Sequence, residues 1–176
     1  MHEARVRNLL GAAALAVSDL MVEGATAAGG IGSSGAAALV ILSTAPGVSV
    51  TELGRRIGLS QSAATRMVDG LAARGLVCRR GASAKSVEVH PTDAGIVAAE
   101  RVLRARDDLL ATLVGLLDDA EQDKLAELLD KLLEGIYGRL PSSARVCRLC
   151  DRACCVADDQ ICPVGQAERR TAAADG

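Results

Sequence analysis

The sequence has no tryptophan and no phenylalanine, and tyrosine occurs once. Stacking of single-stranded nucleic acid on aromatic platforms needs rings, as does an aromatic cage for a cation, so both are excluded. Histidine occurs twice, as His2 and His90, and neither has a companion at metal-ligand spacing. There is no Ser/His/Asp arrangement and no H-E-x-x-H, so no catalytic set is expected and the chain does not read as an enzyme. A literal G-x-G-x-x-G occurs at Gly30, Gly32 and Gly35. A dinucleotide site needs a strand before it and a helix after it; here a helix precedes it, and a loop between helices is the better reading, with Ser33 or Ser34 capping the next helix. No secretory signal is read. The apolar run "LLGAAALAV" is too short to cross a bilayer, and Asp19 and Glu23 follow it. A cytoplasmic protein is expected.

Alanine, leucine and valine carry the apolar load, which brings hydrophobic residues to 49% of 176 and favours helices. One compact domain with an appendage suits this length. Residues 4–27 read as an amphipathic helix, with Leu9, Leu10, Ala13, Val17, Leu20 and Met21 at helical spacing. A helix over 35–44 follows. Then Ser49 and Glu52 form a capping box that opens a short helix to Ile57. Gly58 ends it, and Ser60 caps a second helix that runs to Arg74 and stops at Gly75. Two short helices around a tight Gly-containing turn are a helix-turn-helix. Val50, Leu53, Ile57, Ala64, Val68 and Leu71 face its core, leaving Gln61, Ser62, Thr65 and Arg66 outward, where they suit base edges in a major groove.

Leu76–Arg80 and Ser86–His90 read as a two-stranded hairpin with Arg79, Arg80 and Lys85 around its turn. A basic hairpin beside a recognition helix is a wing, placed for phosphates or a minor groove. Residues 49–91 hold seven Lys/Arg against three acids, net +4, whereas 92–140 hold six against eleven, net −5. A basic module inside an acidic chain is an electrostatic footprint for duplex DNA. From Thr92 a long helix is expected to Leu117, and Asp118 and Glu121 cap another to Leu140. The stripe Leu125, Leu128, Leu129, Leu132, Leu133 and Ile136 on the latter, with the apolar N-terminal helix, suggests a homodimer interface; packing within one chain is the alternative.

In this order, with "SVTELGRRIGLSQSAATRMVDGLAARGLVCRR", a wing and "VHPTDAG", residues 4–140 resemble the MarR family of winged helix-turn-helix regulators. The resemblance implies a mostly α-helical fold, a winged helix-turn-helix with long N- and C-terminal dimerisation helices. It implies a homodimer that binds an operator in double-stranded DNA, represses nearby genes, and responds to a ligand, metal or oxidant. By position, Ser60, Gln61, Ser62, Thr65 and Arg66 match the family's recognition-helix contacts, and Arg79, Arg80 and Lys85 its wing. The wing departs from the family in having "GASAKS" where an Asp-x-Arg is usual.

Five of the six cysteines fall in "CRLCDRACCVADDQICP", residues 147–163, beyond the family's fold. In a cytoplasmic chain such a cluster points to metal ligation or redox sensing before structural disulfides. The spacing C-x2-C-x3-C-C-x6-C offers five thiols for four places. Adjacent cysteines rarely serve one centre, so Cys147, Cys150, Cys155 and Cys162 are the expected ligands, with Cys154 as the alternative to Cys155. Only one C-x2-C knuckle is present, where structural zinc usually has two. Cys162-Pro163 resembles the Cys-Pro that closes bacterial ferredoxin runs. An iron–sulfur cluster is therefore the expected cofactor, with zinc or a thiol–disulfide switch as alternatives. A redox or electron-transfer protein is the reading from another class. Because the cysteines follow the last long helix, the centre is expected to act on the spacing between the two recognition helices. The division expected is 1–48 (dimerisation and support helices), 49–91 (winged helix-turn-helix), 92–140 (dimerisation helices), 141–165 (cysteine-rich segment) and 166–176 (disordered tail).

Overall fold

The computed structural model describes residues 2–81, 87–140 and 143–174. The helix α1 (His2–Gly29) leads into α2 (Ser33–Thr44), β1 (Val48–Ser49), α3 (Val50–Ile57), α4 (Gln61–Ala73), β2 (Val77–Arg80), β3 (Glu88–Pro91), α5 (Asp93–Val114) and α6 (Asp119–Tyr137). Three short helices follow: α7 (Ser143–Val146), α8 (Arg152–Cys155) and α9 (Pro163–Ala174).

The centre of the fold is α2. Residues 35–42 of it are buried without interruption, the mark of a helix that is apolar all round. Leu39 and Leu42 meet Leu53 of α3, Val68 of α4, Val89 of β3 and Val102 of α5 in one cluster. With alanines at 36–38 also buried, the elements close on small side chains, and no ring is needed to fill the space.

The caps explain where the elements start. Ser49 Oγ accepts from Glu52 N at 3.2 Å, and Ser60 Oγ accepts from Ala63 N at 3.4 Å; each satisfies a helix donor left without a partner. The box expected at Ser49 is only half made, because the Glu52 carboxylate turns instead to Arg55 and Arg56. At Asp118 the box with Glu121 is complete. Neither Ser33 nor Ser34 caps α2: Gly32 is the N-cap and no side chain bonds there. Between α3 and α4, Gly58 takes φ +86° and its N–H, with that of Leu59, bonds back to Gly54 O. That left-handed residue makes the turn tight, and a side chain there would be strained.

The sheet has three strands, not two, in the order β1-β3-β2, all antiparallel. Val48 pairs with Val89 on one side of β3, and Cys78 pairs with His90 on the other. Thus the wing is tied to the entrance of α3 through β3.

The run "LLGAAALAV" extends into a helix that, by length and composition alone, could cross a membrane. In this fold α1 lies along α5, with Ala25 buried and Gly24 near the Ala105 carbonyl. Val6, Leu9, Leu10, Leu15 and Leu20 of α1 stay exposed, as do Leu128, Leu129, Leu132 and Ile136 of α6. None of α6 is buried, so its leucine stripe is not spent within the chain. Residues 166–174, expected to be a disordered tail, instead continue α9, where Val164 and Ala167 are buried and Arg170 pairs with Glu134 of α6 at 2.9 Å.

Candidate nucleic-acid interface and cysteine pocket

The outward face of α4 presents Gln61, Ser62 and Arg66 exposed, with Thr65 half-buried. Two of the expected contacts are partly occupied. Ser60 is the cap of α4, with its hydroxyl also 3.3 Å from that of Ser62. Thr65 Oγ1 donates to Gln61 O at 3.0 Å. Arg79 and Arg80 are exposed on β2, but Arg79 Nη2 donates to Asp69 Oδ1 of α4 at 2.7 Å. That bond joins wing to recognition helix and takes up part of one expected phosphate contact. Lys85 lies outside the described residues.

The start of α5 locks the wing to the helix-turn-helix. Thr92 Oγ1 donates to Gly75 O at 2.6 Å and accepts from Gly95 N at 3.1 Å, and Thr92 N donates to Leu76 O at 3.1 Å. On α3, Arg55 and Arg56 both bond the Glu52 carboxylate. Arg55 first, then Arg56, hold that carboxyl down to about 2.

The five clustered cysteines separate into four and one. Cys147, Cys150, Cys155 and Cys162 are near enough to influence one another's ionisation. Each of the four is half-buried, and all four line one cavity of about 160 Å³. Local turns explain the gathering. Cys150 N bonds to Cys147 O at 3.0 Å, which curls the C-x2-C. Asp151 caps α8, accepting from Ala153 N and Cys154 N, and one step along that helix turns Cys154 out as Cys155 turns in. Asp158 and Asp159 adopt φ +52° and +61°, a conformation Asp tolerates better than most residues. That bend belongs to the link between Cys155 and Cys162. Gly165 N, in the first turn of α9, then donates to Cys162 Sγ at 3.4 Å.

The thiols differ in acidity. The Cys150 thiol beside Cys147 holds the latter below its ordinary value. Cys150 is pushed up, first by that same bond and then by burial. Burial first, then the neighbouring thiols, pushes Cys155 up to about 12. Cys154 is raised by its bond to Asp151 and stays exposed, away from the other four.

The rest of the cavity wall comes from elsewhere in the chain: Val40, Ile41 and Thr44 of α2, Arg56 of α3, and Ala144, Arg152 and Val156 of the lobe. The cysteines follow α6 in sequence but lie against α2 and α3 in space, beside the helix-turn-helix. Two cations that sequence reasoning passed over bear on this site: Arg56 in its wall, and Arg106 of α5, outside the wall, whose charge favours the ionised forms of Cys150 and Cys154. Among the described residues the Arg106 Nε is buried with no hydrogen-bond partner. Spacing in sequence could not have shown either residue, since each arrives by tertiary packing.

Four half-buried soft sulfurs around one cavity are the ligand type of a thiolate-bound metal centre. Among the described residues, no three His, Cys, Asp or Glu side chains are placed to hold a metal ion.

Comparison with known proteins bears on the fold. Residues 30–85 match the family model of the MarR family. A MarR family protein from Bacillus stearothermophilus is 25% identical, with a TM-score of 0.68 over 77% of this chain and 95% of that one. YusO from Bacillus subtilis is 24% identical, with a TM-score of 0.63 over 74% and 93%. The Mycobacterium tuberculosis MarR family protein Rv2887, solved in complex with DNA, is 23% identical, with a TM-score of 0.56 over 70% and 96%. No curated protein matches. The matched segment resembles the MarR family, and the chain shares the winged-helix fold of these structures.

Proposed function

We propose that this protein is a homodimeric DNA-binding transcription regulator, acting as a repressor, whose affinity for its operator is controlled by an iron–sulfur cluster on Cys147, Cys150, Cys155 and Cys162. The observation that carries the reading is the cavity that Cys147, Cys150, Cys155 and Cys162 line together with residues of α2 and α3. A basic, exposed recognition helix and wing support duplex binding, and a neighbour in the family was solved with DNA. The uncovered apolar faces of α1 and α6 support a dimer, which would set two recognition helices one helical turn apart.

Zinc is held by four ligands at about 2.0–2.3 Å from one point, usually with paired C-x2-C knuckles. The single knuckle and the Cys162-Pro163 pair support the iron–sulfur reading. When bound, the cluster supplies a charge and an integrity that respond to oxidant, nitric oxide or iron supply. The chain's own part is to exclude solvent on one side with Val40 and Ile41, to donate Gly165 N to Cys162, and to supply positive charge from Arg56 in the wall and Arg106 nearby. A single zinc on the same cysteines is the second reading, favoured by the C-x2-C knuckle.

Protein purified without oxygen, analysed for iron, sulfide and zinc alongside its absorption spectrum, tests this. Brown protein with matched iron and sulfide supports the cluster. Colourless protein with one zinc per chain replaces it with zinc, and protein with neither removes the metal centre. Loss of salt-dependent duplex binding in Arg66→Ala tests the DNA-binding part separately.

A further inference from the structure

We propose that Arg145, which the C-terminal lobe lays over the turn of the helix-turn-helix, is a further DNA-binding residue that takes a backbone phosphate beside the recognition helix. This rests on the DNA-binding reading above and is independent of the metal centre. Arg145 lies past residue 140, so it belongs to the lobe and not to the part of the chain that resembles the MarR family.

The basic module has fewer free cations than its composition promises. Arg55 and Arg56 are bonded to Glu52, Arg74 to the Gly30 carbonyl and Arg79 to Asp69. Among the described residues, the guanidinium groups of Arg66, Arg80 and Arg145 have no hydrogen bond or ion pair, and all three residues are exposed. A guanidinium is always charged and offers five N–H donors in a fork. That fork matches the oxygens of a phosphate.

The place of Arg145 suits that use. Ser60 caps α4, and Gln61 and Ser62 open it. In a helix-turn-helix the first residues of the recognition helix meet the base edges. The Gly58 turn just before them therefore stands at the mouth of the major groove, which is about 12 Å wide between its phosphate walls. Contacts to those walls fix register and orientation. Arg145 Cζ, Nε and Nη1 lie 3.0, 3.1 and 3.1 Å from where a Cβ on Gly58 would stand. Near-equal distances mean that the guanidinium lies flat on the turn, and the missing side chain of Gly58 is what leaves it room.

The lobe holds Arg145 there. Arg148 Nη1 donates to Arg145 O at 2.7 Å, and α7 packs against α3. Ser143 Oγ donates to Glu168 Oε1 of α9 at 2.8 Å, and Leu149 packs against the central core. A cation positioned in advance loses less side-chain freedom on binding.

The test uses the full-length protein. Wild type, Arg145→Ala, Arg145→Gln and Arg145→Lys are compared at equal iron and zinc content, with Arg66→Ala beside them. Affinity is measured from about 50 to 200 mM salt, on a duplex selected from random sequence by the wild-type protein and on a scrambled one. For each subunit bound, Arg145→Ala and Arg145→Gln should flatten the salt slope by about one. They should weaken binding about tenfold at about 0.1 M salt, equally on both duplexes. Arg145→Lys should keep the wild-type slope, since lysine binds phosphate as a point charge. Should Arg145→Ala fail to fold, Arg145→Gln carries the same test. An unchanged slope in Arg145→Gln overturns the proposal. A slope in Arg145→Lys as flat as in Arg145→Gln also overturns it, and makes Arg145 a packing residue of the turn. A loss confined to the selected duplex overturns it too, in favour of a base contact. In these three cases weakened binding by Arg66→Ala leaves the DNA-binding reading standing. If Arg66→Ala and Arg145→Gln both bind as the wild type does, the DNA-reading face itself falls.

Discussion

Replacing Gly95 with alanine puts two opposed effects at one site. Gly95 lies in the first turn of α5, and alanine there gains about 1 kcal/mol of helix propensity. A Cβ at Gly95, however, would stand 2.0 Å from Leu76 O and 3.0 Å from Leu76 C, both backbone. Ordinary carbon–oxygen contact is about 3.4 Å, so the start of α5 must retreat by more than about 1 Å. Backbone on both sides leaves no rotamer to absorb it. Overpacking of this kind costs about 1–3 kcal/mol. The retreat also stretches the two bonds that Thr92 makes to Gly75 and Leu76, each worth about 1 kcal/mol.

Sterics win, and Gly95→Ala should lose about 3 kcal/mol net. For a chain of this size that lowers Tm by roughly 6–12 °C. Gly70→Ala on α4 is the control, because nothing lies within 4 Å of its Cβ; it should gain about 1 kcal/mol. Thermal unfolding followed by circular dichroism at one fixed protein concentration decides it, the concentration held because Tm depends on it wherever chains associate. If Gly95→Ala melts with the wild type, or Gly70→Ala falls as far as Gly95→Ala, the packing of α5 on the wing described here is wrong.

Glu52 sets a pH dependence. Its carboxyl is held from 4.5 down to about 2 by Arg55 and Arg56, so its contribution is full above about pH 4.5 and disappears as pH falls towards 2. The pairs are part-exposed and screened, so Glu52→Gln should cost about 1 kcal/mol at neutral pH, with the difference from wild type vanishing in acid denaturant titrations. A gap that persists at pH 2 refutes the ion pair as its cause. Asp69→Asn releases Arg79 from its bond to α4; tighter duplex binding with a salt slope steeper by about one is expected, and weaker binding would show that the bond orders the wing. Cys154→Ser should keep the full metal content of the wild type, since that thiol is exposed and bonded to Asp151, whereas Cys150→Ser should lose it. Equal loss in both would disqualify the set of four.

What could be read from the sequence was what local chemistry decides. Ser49, Ser60, Thr92 and Asp118 are side-chain caps, and each announces its helix within four residues. The separation of Cys154 from Cys155 follows from helix geometry. Ser33 and Ser34 show the limit of such reading: the type of residue was right for a cap, but Gly32 took the position and the chain needed no side-chain bond there. Strand β1 is two residues long and exists only because β3 lies beside it, so no periodicity could show it. Helix α9 has a composition that reads as tail, and its order comes from burying Val164 and Ala167 and pairing Arg170 with α6. Those partners are supplied by the fold, not by the segment.

The same distinction bears on how the cysteines work. In sequence they adjoin α6, and a mechanism through the dimer interface is the natural expectation. In space they share a wall with α2, the most buried helix of the domain, and with α3. A close-packed helix transmits displacement poorly in small steps but well between discrete arrangements. On the proposed reading a centre seated on α2 would have a rigid floor, and its yielding neighbour would be the short eight-residue α3 with its left-handed turn. The packing of the cysteines against α2 and α3, not their adjacency to α6 in sequence, is what a mechanism has to start from.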